Sequence, residues 1–411
     1  AFNDVSRLYQ ELCYKIRCIF SINKKNMKQL FLLCLIMVST SLFSQNTKKE
    51  KVEYTYTQLP MDPLPESVTS YSSTIVIGYA EEEAEKARKY EEDKKDAEEA
   101  YAQERKEYKN KSLGKKVLET ALLGKAPPEA SVVEKPTFKP TYNTEALANT
   151  YLKLEGYEKG NENSVLYEVT LGGLRASDPV IKNSSLKNKD GTTTYEFWYE
   201  VVYTYPMAVR LEADGEEILN ETYEAFETEK LYQTRKFKSD GALRKALPVN
   251  TVMQTVDNKA FKENMSYTNL QINETYAFMA KKRKTVVYTA KGKKHDYTDL
   301  TKAYIAVEQG LVDYDANGEN AEIKTAIAIW NSALEEMDLE NKKARINRNV
   351  AFGLHLNQIE YNILINDYTA AKTAINNILL MNPSKAEDKK FEPYRDFFED
   401  MRDRYDANNE D

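Results

Sequence analysis

From Tyr195 to Tyr205 this chain places a bulky apolar side chain at every second position, in the run Tyr195-Glu196-Phe197-Trp198-Tyr199-Glu200-Val201-Val202-Tyr203-Thr204-Tyr205. Successive strand residues point to opposite faces, so a period of two over eleven residues is strand geometry. Tyr195, Phe197, Tyr199, Val201, Tyr203 and Tyr205 share one face, and a face that apolar must be covered by a second layer. Partners follow nearby. Val209 to Ala213, the dipeptide Asp214-Gly215 and Glu216 to Thr222 read as a hairpin, because Asp-Gly supplies the positive φ that tight turns demand. Tyr151 to Gly156, Leu166 to Leu171 and Leu231 to Phe237 read as further strands. Short strands separated by turn chemistry, with no crossover helix between them, predict a β-sandwich over a parallel sheet. Val52 to Thr57 and Tyr71 to Tyr79 alternate too and join the same expected sandwich.

Between those two early strands and the rest the composition changes. Residues 80–111 are mostly Glu, Lys, Asp, Arg and Ala without Gly or Pro, and Glu82–Lys86, Glu85–Lys89 and Glu91–Lys95 have helical i,i+4 spacing. This predicts a charged helical insertion at 80–123, solvated over most of its surface, with a last apolar turn at Lys116 to Leu123. Its apolar residues are too small and irregular for a coiled-coil seam. A Pro-rich linker at 126–140 follows.

The C-terminal third changes period. Leu300, Tyr304, Val307, Leu311; Ile323, Ile327, Trp330, Leu334; and Leu356, Ile359, Ile363 recur at three and four residues, as on amphipathic helices. Within it, Asp367-Tyr368-Thr369-Ala370-Ala371, continuing through Ile375 and Ile378 to Met381-Asn382-Pro383, resembles the second half of a tetratricopeptide (TPR) repeat. Ala371 and Pro383 stand where that family places its small residue and closing proline. The preceding helix departs from the pattern, with Ile359 and Asn362 where the family prefers a small residue and an aromatic. The resemblance covers half a repeat, and it implies a helical scaffold with a concave binding surface. The fold class expected is therefore α+β. It has an N-terminal β-sandwich at 46–250 carrying the insertion, a connector at 251–296 (helical over 258–283, with a short strand at Thr285 to Thr289) and a TPR-like helical region at 297–405.

Residues 27–45 bear on location. Met27 and Lys28 precede the apolar run Leu30 to Val38, then Ser39-Thr40-Ser41 and Leu42-Phe43-Ser44-Gln45. A basic start, a 7–15-residue apolar core and a small residue before the cut make a secretory signal peptide. The run is shorter than the roughly 20 residues of a membrane span. Residues 1–26, upstream of this arrangement, read as an over-extended translation start, with an amphipathic anchor (Leu8, Leu12, Ile16, Ile19) as the alternative. Cys34 lacks the small residue ahead of it that a lipobox needs. Cleavage near Gln45 would remove Cys13, Cys18 and Cys34, every cysteine the chain has, and would leave 52 basic against 63 acidic residues, a formal balance of −11. That balance argues against nucleic acid as partner. No later stretch is long and apolar enough for a stable membrane span.

The chemistry on offer is narrow. Without cysteine, and with His295 and His355 as the only histidines, Cys–His catalysis is excluded after export and a Ser–His–Asp set has two candidates. His295 lies in a basic loop, Lys291 to His295. His355 lies in a helix, where a surface or half-buried imidazole is expected. A zinc site lacks ligands, and Gly172-Gly173 is followed by no phosphate-loop Lys-Ser/Thr. No catalytic, cofactor or metal residue is assigned. Asp313, Asp315 and Asn317 with Gly318 resemble the first half of an EF-hand calcium loop, but position twelve is Lys324, not Glu. Trp198 lies opposite the tyrosine stripe and is the one candidate for stacking on a glycan. The expected function is a non-enzymatic exported cell-envelope protein, periplasmic or outer-membrane-associated, that binds protein partners. A carbohydrate-binding module is the alternative.

Overall fold

Most of the alternating stretches become strands and the three-and-four spacings become helices in the computed structural model, which describes residues 46–113, 129, 132–136, 138–312, 314 and 319–409. Residues 1–45 with their signal pattern, Lys116 to Leu123, part of the Pro-rich stretch, and Asp313, Asp315 and Asn317 lie outside the described residues. The protein is a mixed α+β chain with a helical C-terminal region. Its described residues divide into two compact units, one within residues 59–279 and one combining residues 46–58 with the described residues from 280 to 409. The boundaries expected at 250 and 296 do not coincide with this division. The first strand, β1 (Asn46–Gln58), belongs with the C-terminal helices.

In the unit of residues 59–279 the elements run β2 (Ser70–Ile77), α1 (Ala80–Asn110), α2 (Thr144–Tyr151), β3 (Glu158–Lys159), β4 (Ser164–Leu171), β5 (Arg175–Ala176), β6 (Val180–Lys187), β7 (Thr193–Thr204), β8 (Met207–Ala213), β9 (Glu216–Thr222), α3 (Glu224–Glu227), β10 (Lys230–Gln233), α4 (Asp240–Ala246) and α5 (Val249–Tyr276). One sheet has the order β3-β2-β4-β8-β9, and in the other β7 pairs with β10 along one edge and with β5 and β6 along the opposite one. The Asp214-Gly215 turn joins β8 to β9 with φ of 52° and 81°, as the sequence requires.

The first sheet is not all antiparallel. β2 pairs with β4 in parallel from Ser70↔Ser164 to Ile77↔Leu171, and the long connection a parallel pair needs is supplied by α1, α2 and β3. The charged stretch is therefore part of a crossover, which local alternation does not reveal. Along β7 the core takes Tyr199, Val201 and Tyr203, while Tyr195, where β7 pairs with β6 alone, is exposed.

The core of this unit joins β4, β7 and β8 to α5, which contributes Val252, Val256, Ala260, Phe261, Met265, Ile272 and Tyr276. The connector expected at 251–296 is thus a core helix followed by a long strand. Its asparagines explain a second correction. Tyr151 to Gly156 is no strand: α2 ends at Tyr151, and the backbone N–H groups of Lys153 and Glu155 donate to the side chains of Asn269 and Asn273 on α5 (2.9 and 2.8 Å). Side-chain amides do there what a neighbouring strand would do. Gly156 (φ +84°) then turns against Phe278, where a Cβ would stand 2.6 Å from the Phe278 Cβ and 3.0 Å from its ring.

α1 has no buried residue among its 31. Ion pairs such as Lys86–Glu82 (2.9 Å), Arg88–Glu85 (2.7 Å) and Arg88–Glu92 (3.5 Å) decorate it, and its first turn is held where the Lys139 N–H donates to Glu83 (3.0 Å).

In the other unit β1 pairs with β11 (Met279–Lys291), and α6 (Thr298–Val312), α7 (Ala321–Leu334), the short β12 (Met337–Asp338) and β13 (Ile346–Asn347), α8 (Arg348–Leu364), α9 (Tyr368–Leu380) and α10 (Lys385–Ala407) follow. Asn320, Asn347, Asp367 and Ser384 cap the N-termini of α7 to α10, Ser384 within a complete capping box with Glu387. Every residue of α8 from Val350 to Leu364 is buried. A helix enclosed on all sides must find a partner for each polar group it carries.

Candidate functional site

α8 carries polar side chains on two opposite stripes. Asn357 and Glu360, three apart, lie on one side. His355, Gln358 and Asn362, at i, i+3 and i+7, lie roughly half a turn away. The first stripe is fully used. Asn357 exchanges two hydrogen bonds with the backbone of Tyr288 on β11, accepting from its N–H (2.7 Å) and donating to its carbonyl (2.8 Å). Glu360, with no exposed side-chain surface, accepts from Arg283 Nε and Nη2 and from the Tyr54 hydroxyl (2.6, 2.8 and 2.7 Å). Arg283 also lies 3.6 Å over the Phe397 ring. Burial and the nearby carboxylate push the Tyr54 hydroxyl well above its ordinary value, so it stays a donor.

The second stripe faces a cleft. α7, α8 and α9 enclose about 540 Å³, lined by Lys324, Ile327, Asn331 and Leu334 from α7, by His355, Gln358 and Asn362 from α8, by Asp367, Ala370, Thr373 and Asn377 at and along α9, and by Glu335, Met337 and Ile365 from the connections. That volume falls within the range of small-ligand sites. Gln358 donates to the Asn331 carboxamide across its floor, and Asn362 Nδ2 donates to the Gln358 carbonyl at 2.8 Å. His355 is 3 % exposed and neither ring nitrogen is open to solvent; the Gln358 side chain is the polar group that acts on the ring. Burial holds its pKa below the ordinary histidine value, so at neutral pH the ring is uncharged, with one nitrogen a donor and the other an acceptor. The expectation of a surface or half-buried His355 is thereby corrected, because α10, α9 and α7 all pack on α8 and leave it no solvent face.

Other residues singled out by sequence lie elsewhere. Trp198 sits on the side of β7 opposite the core, opposite Lys182 of β6, partly buried. Its indole N–H donates to Glu200 (3.0 Å) and Lys236 lies 5.1 Å from its ring centre. Val180, Val202 and Leu231 are exposed on that same face. The His295 ring has Nε2 3.0 Å from the Lys343 carbonyl. Among the described residues no group of three His, Cys, Asp or Glu could hold a metal, and no helix is long and apolar enough to cross a membrane. Two further hollows belong to the unit of residues 59–279. One of about 270 Å³ lies beside Asn269 and Asn273, and one of about 480 Å³ lies beside Ser177, Val202 and Glu229.

Comparison with family models, curated proteins and solved structures returns no match. The cleft was not foreseen as a site. One clue stood in the sequence: Phe352, Leu356, Ile359 and Ile363 fall on one side of the helix and Leu354 and Tyr361 on the opposite side, which marks it as packed on two faces and its polar residues as obliged to pair.

Proposed function

We propose that this is an exported, non-enzymatic cell-envelope protein that binds other proteins, with the α7–α9 cleft as its binding surface. The observation that carries this reading is the cleft itself, a concave and mostly uncharged polar surface between packed helices. The TPR-like reading of residues 297–405 agrees with it. Asp367 caps α9, Ala371 is fully buried, and α8 and α9 form a hairpin joined by Ile365 to Asp367. The sandwich reading of the N-terminal region draws support from two sheets whose residues enter one core. Export rests on the pattern at residues 27–45, and a periplasmic or outer-membrane-associated location follows from it. Two histidines, one in a loop and one buried within α8, offer a poor basis for catalysis.

Mild-detergent co-purification of the full chain from its native envelope tests the reading. A protein partner retained in fixed ratio is expected. A chain recovered alone and monomeric would overturn it.

The second reading is a carbohydrate-binding module, favoured by Trp198 on a partly solvent-facing sheet surface. Glycan binding that disappears in Trp198→Ala, with melting unchanged, would establish it instead.

A further inference from the structure

In the unit of residues 59–279 each sheet ends on a strand with a free edge, β6 in one and β9 in the other. The ladders fix which main-chain groups those edges offer. The Asn188 N–H donates to the Thr192 carbonyl directly opposite (2.8 Å), and Phe197 exchanges two bonds with Phe237 on the other side of β7 (2.8 Å each). Hydrogen-bonded pairs alternate along an antiparallel ladder, so the even residues of β6 bond to β7. Ile181, Asn183, Ser185 and Lys187 then turn their N–H and C=O groups outward. The same alternation holds in the other sheet. The Gly172 N–H donates to the Pro206 carbonyl (2.9 Å), which gives the even residues of β8 to β4 and the odd ones to β9, and leaves Asn220 and Thr222 of β9 pointing outward.

Among the described residues nothing bonds to these outward groups, and Asn183, Ser185, Lys187, Asn220 and Thr222 are exposed. The two edges differ in charge. The charged residues of β6 are Lys182 and Lys187, and those of β9 are Glu216, Glu217 and Glu221. Glu217 meets Arg210 at 3.4 Å, but Lys182, Lys187, Glu216 and Glu221 have no ion-pair partner among the described residues. Unpaired charges of opposite sign therefore lie on two bare edges, at the same separation of five residues. Lysines on an edge strand discourage pairing with a second copy of that edge, and glutamates do the same for theirs. Only β6 against β9 sets opposite charges together.

We propose that β6 of one molecule adds antiparallel to β9 of a second copy, so that the chain associates with itself head to tail. With Asn183 opposite Asn220 and Ile181 opposite Thr222, outward-facing residues meet outward-facing residues, and each pair exchanges both main-chain bonds. Lys182 then stands opposite Glu221 on one face, between those pairs, and Lys187 reaches the Glu216 end of β9. The contact is heterologous, so each copy keeps one edge open for the next and association continues past the dimer. It uses neither the α7–α9 cleft nor a foreign partner.

Sedimentation velocity of the purified full chain over about a hundredfold range of concentration tests this, and the mean sedimentation coefficient is expected to rise with concentration. Lys182→Glu and Glu221→Lys, both at exposed positions, should each fold normally and lower the association constant about fivefold or more by setting like charges opposite each other. The two changes in one chain should restore it. Asn183→Pro and Asn220→Pro each remove an outward N–H that carries no ladder bond, the place where an edge strand accepts proline. Each alone should stay monomeric. An equimolar mixture should form a one-to-one complex that grows no further, one copy offering β9 and the other β6.

A chain that stays monomeric over the whole range, or that associates as strongly with Lys182→Glu, would overturn the proposal. So would a double reversal that fails to restore association. Asn220→Pro associating by itself would show β6 pairing with β6 and overturn the choice of partner strand. Should a proline variant fail to fold, charge reversal and its rescue decide the matter by themselves. Co-purification of a foreign protein tests the cleft reading separately, so either can fail without the other.

Discussion

The Arg283 guanidinium holds the Glu360 carboxylate in a two-pronged grip, Nε to Oε1 at 2.6 Å and Nη2 to Oε2 at 2.8 Å, with the carboxylate wholly out of solvent. The pair ties strand β11 to the central helix α8. Removing one partner of a buried pair strands the other charge. Arg283→Met is expected to destabilise the chain by about 3–5 kcal/mol in urea unfolding, and Arg283→Met with Glu360→Leu by clearly less, since the double change leaves no charge behind. Equal losses from the two would mean that Arg283 acts through its stacking on Phe397.

Asp257 gives a pH dependence whose sign can be worked out. It accepts from the Tyr142 hydroxyl at 2.8 Å through Oδ2, while Oδ1 is buried without a partner. Burial raises its pKa, and the Tyr142 hydrogen bond opposes that rise. The folded state therefore holds this proton more tightly than the unfolded chain. Stability from this group is present below the unfolded carboxylate value, near about 3.9, and is lost as pH rises to the elevated folded value. Asp257→Asn still accepts from Tyr142 and has no charge to desolvate. Its melting temperature should exceed that of wild type at neutral pH, and the difference should shrink toward about pH 4. A constant difference across that range would assign the effect to packing.

Ala371 is fully buried where α9 meets α8, whereas Lys372, the next residue, faces solvent. Ala371→Glu is expected to cost about 3 kcal/mol or more by forcing a charge into that contact, while Lys372→Glu should be near neutral. Chemical denaturation of the two variants side by side checks this. Indistinguishable curves would show that α9 does not depend on that contact.

α1 buries nothing along roughly 46 Å of helix, so beyond its first turn, where Lys139 meets Glu82 and Glu83, propensity and surface ion pairs sustain it. Replacing Glu81 to Lys111 by a short Gly/Ser loop should leave the core of residues 59–279 folded, with an unchanged melting transition. Loss of folding would show that the crossover between β2 and β4 needs the helix to place those strands.

What was legible in the sequence was what neighbours along the chain decide. The β8–β9 hairpin could be read because Asp214-Gly215 carries its own turn geometry, α1 because its charges repeat at helical spacing, and the helices α6 to α9 because apolar residues recur along them. Tyr151 to Gly156 failed as a strand because its backbone donors are taken by Asn269 and Asn273, more than a hundred residues away. The parallel pairing of β2 with β4 was hidden for a related reason: pairing partners are chosen by the packed layers, and local alternation carries no mark of a crossover.

The amino-acid sequence by itself settled the α+β character of the chain and most of its helices, through side-chain periodicity and capping residues that act within a few positions. Only the tertiary structure decided that β1 belongs with the C-terminal helices, that α8 is enclosed on all sides, and that Glu360 is matched by Arg283 and Tyr54. Whether a buried polar group is paired depends on residues distant in the chain, and the burial that makes pairing necessary exists only after those elements have packed together.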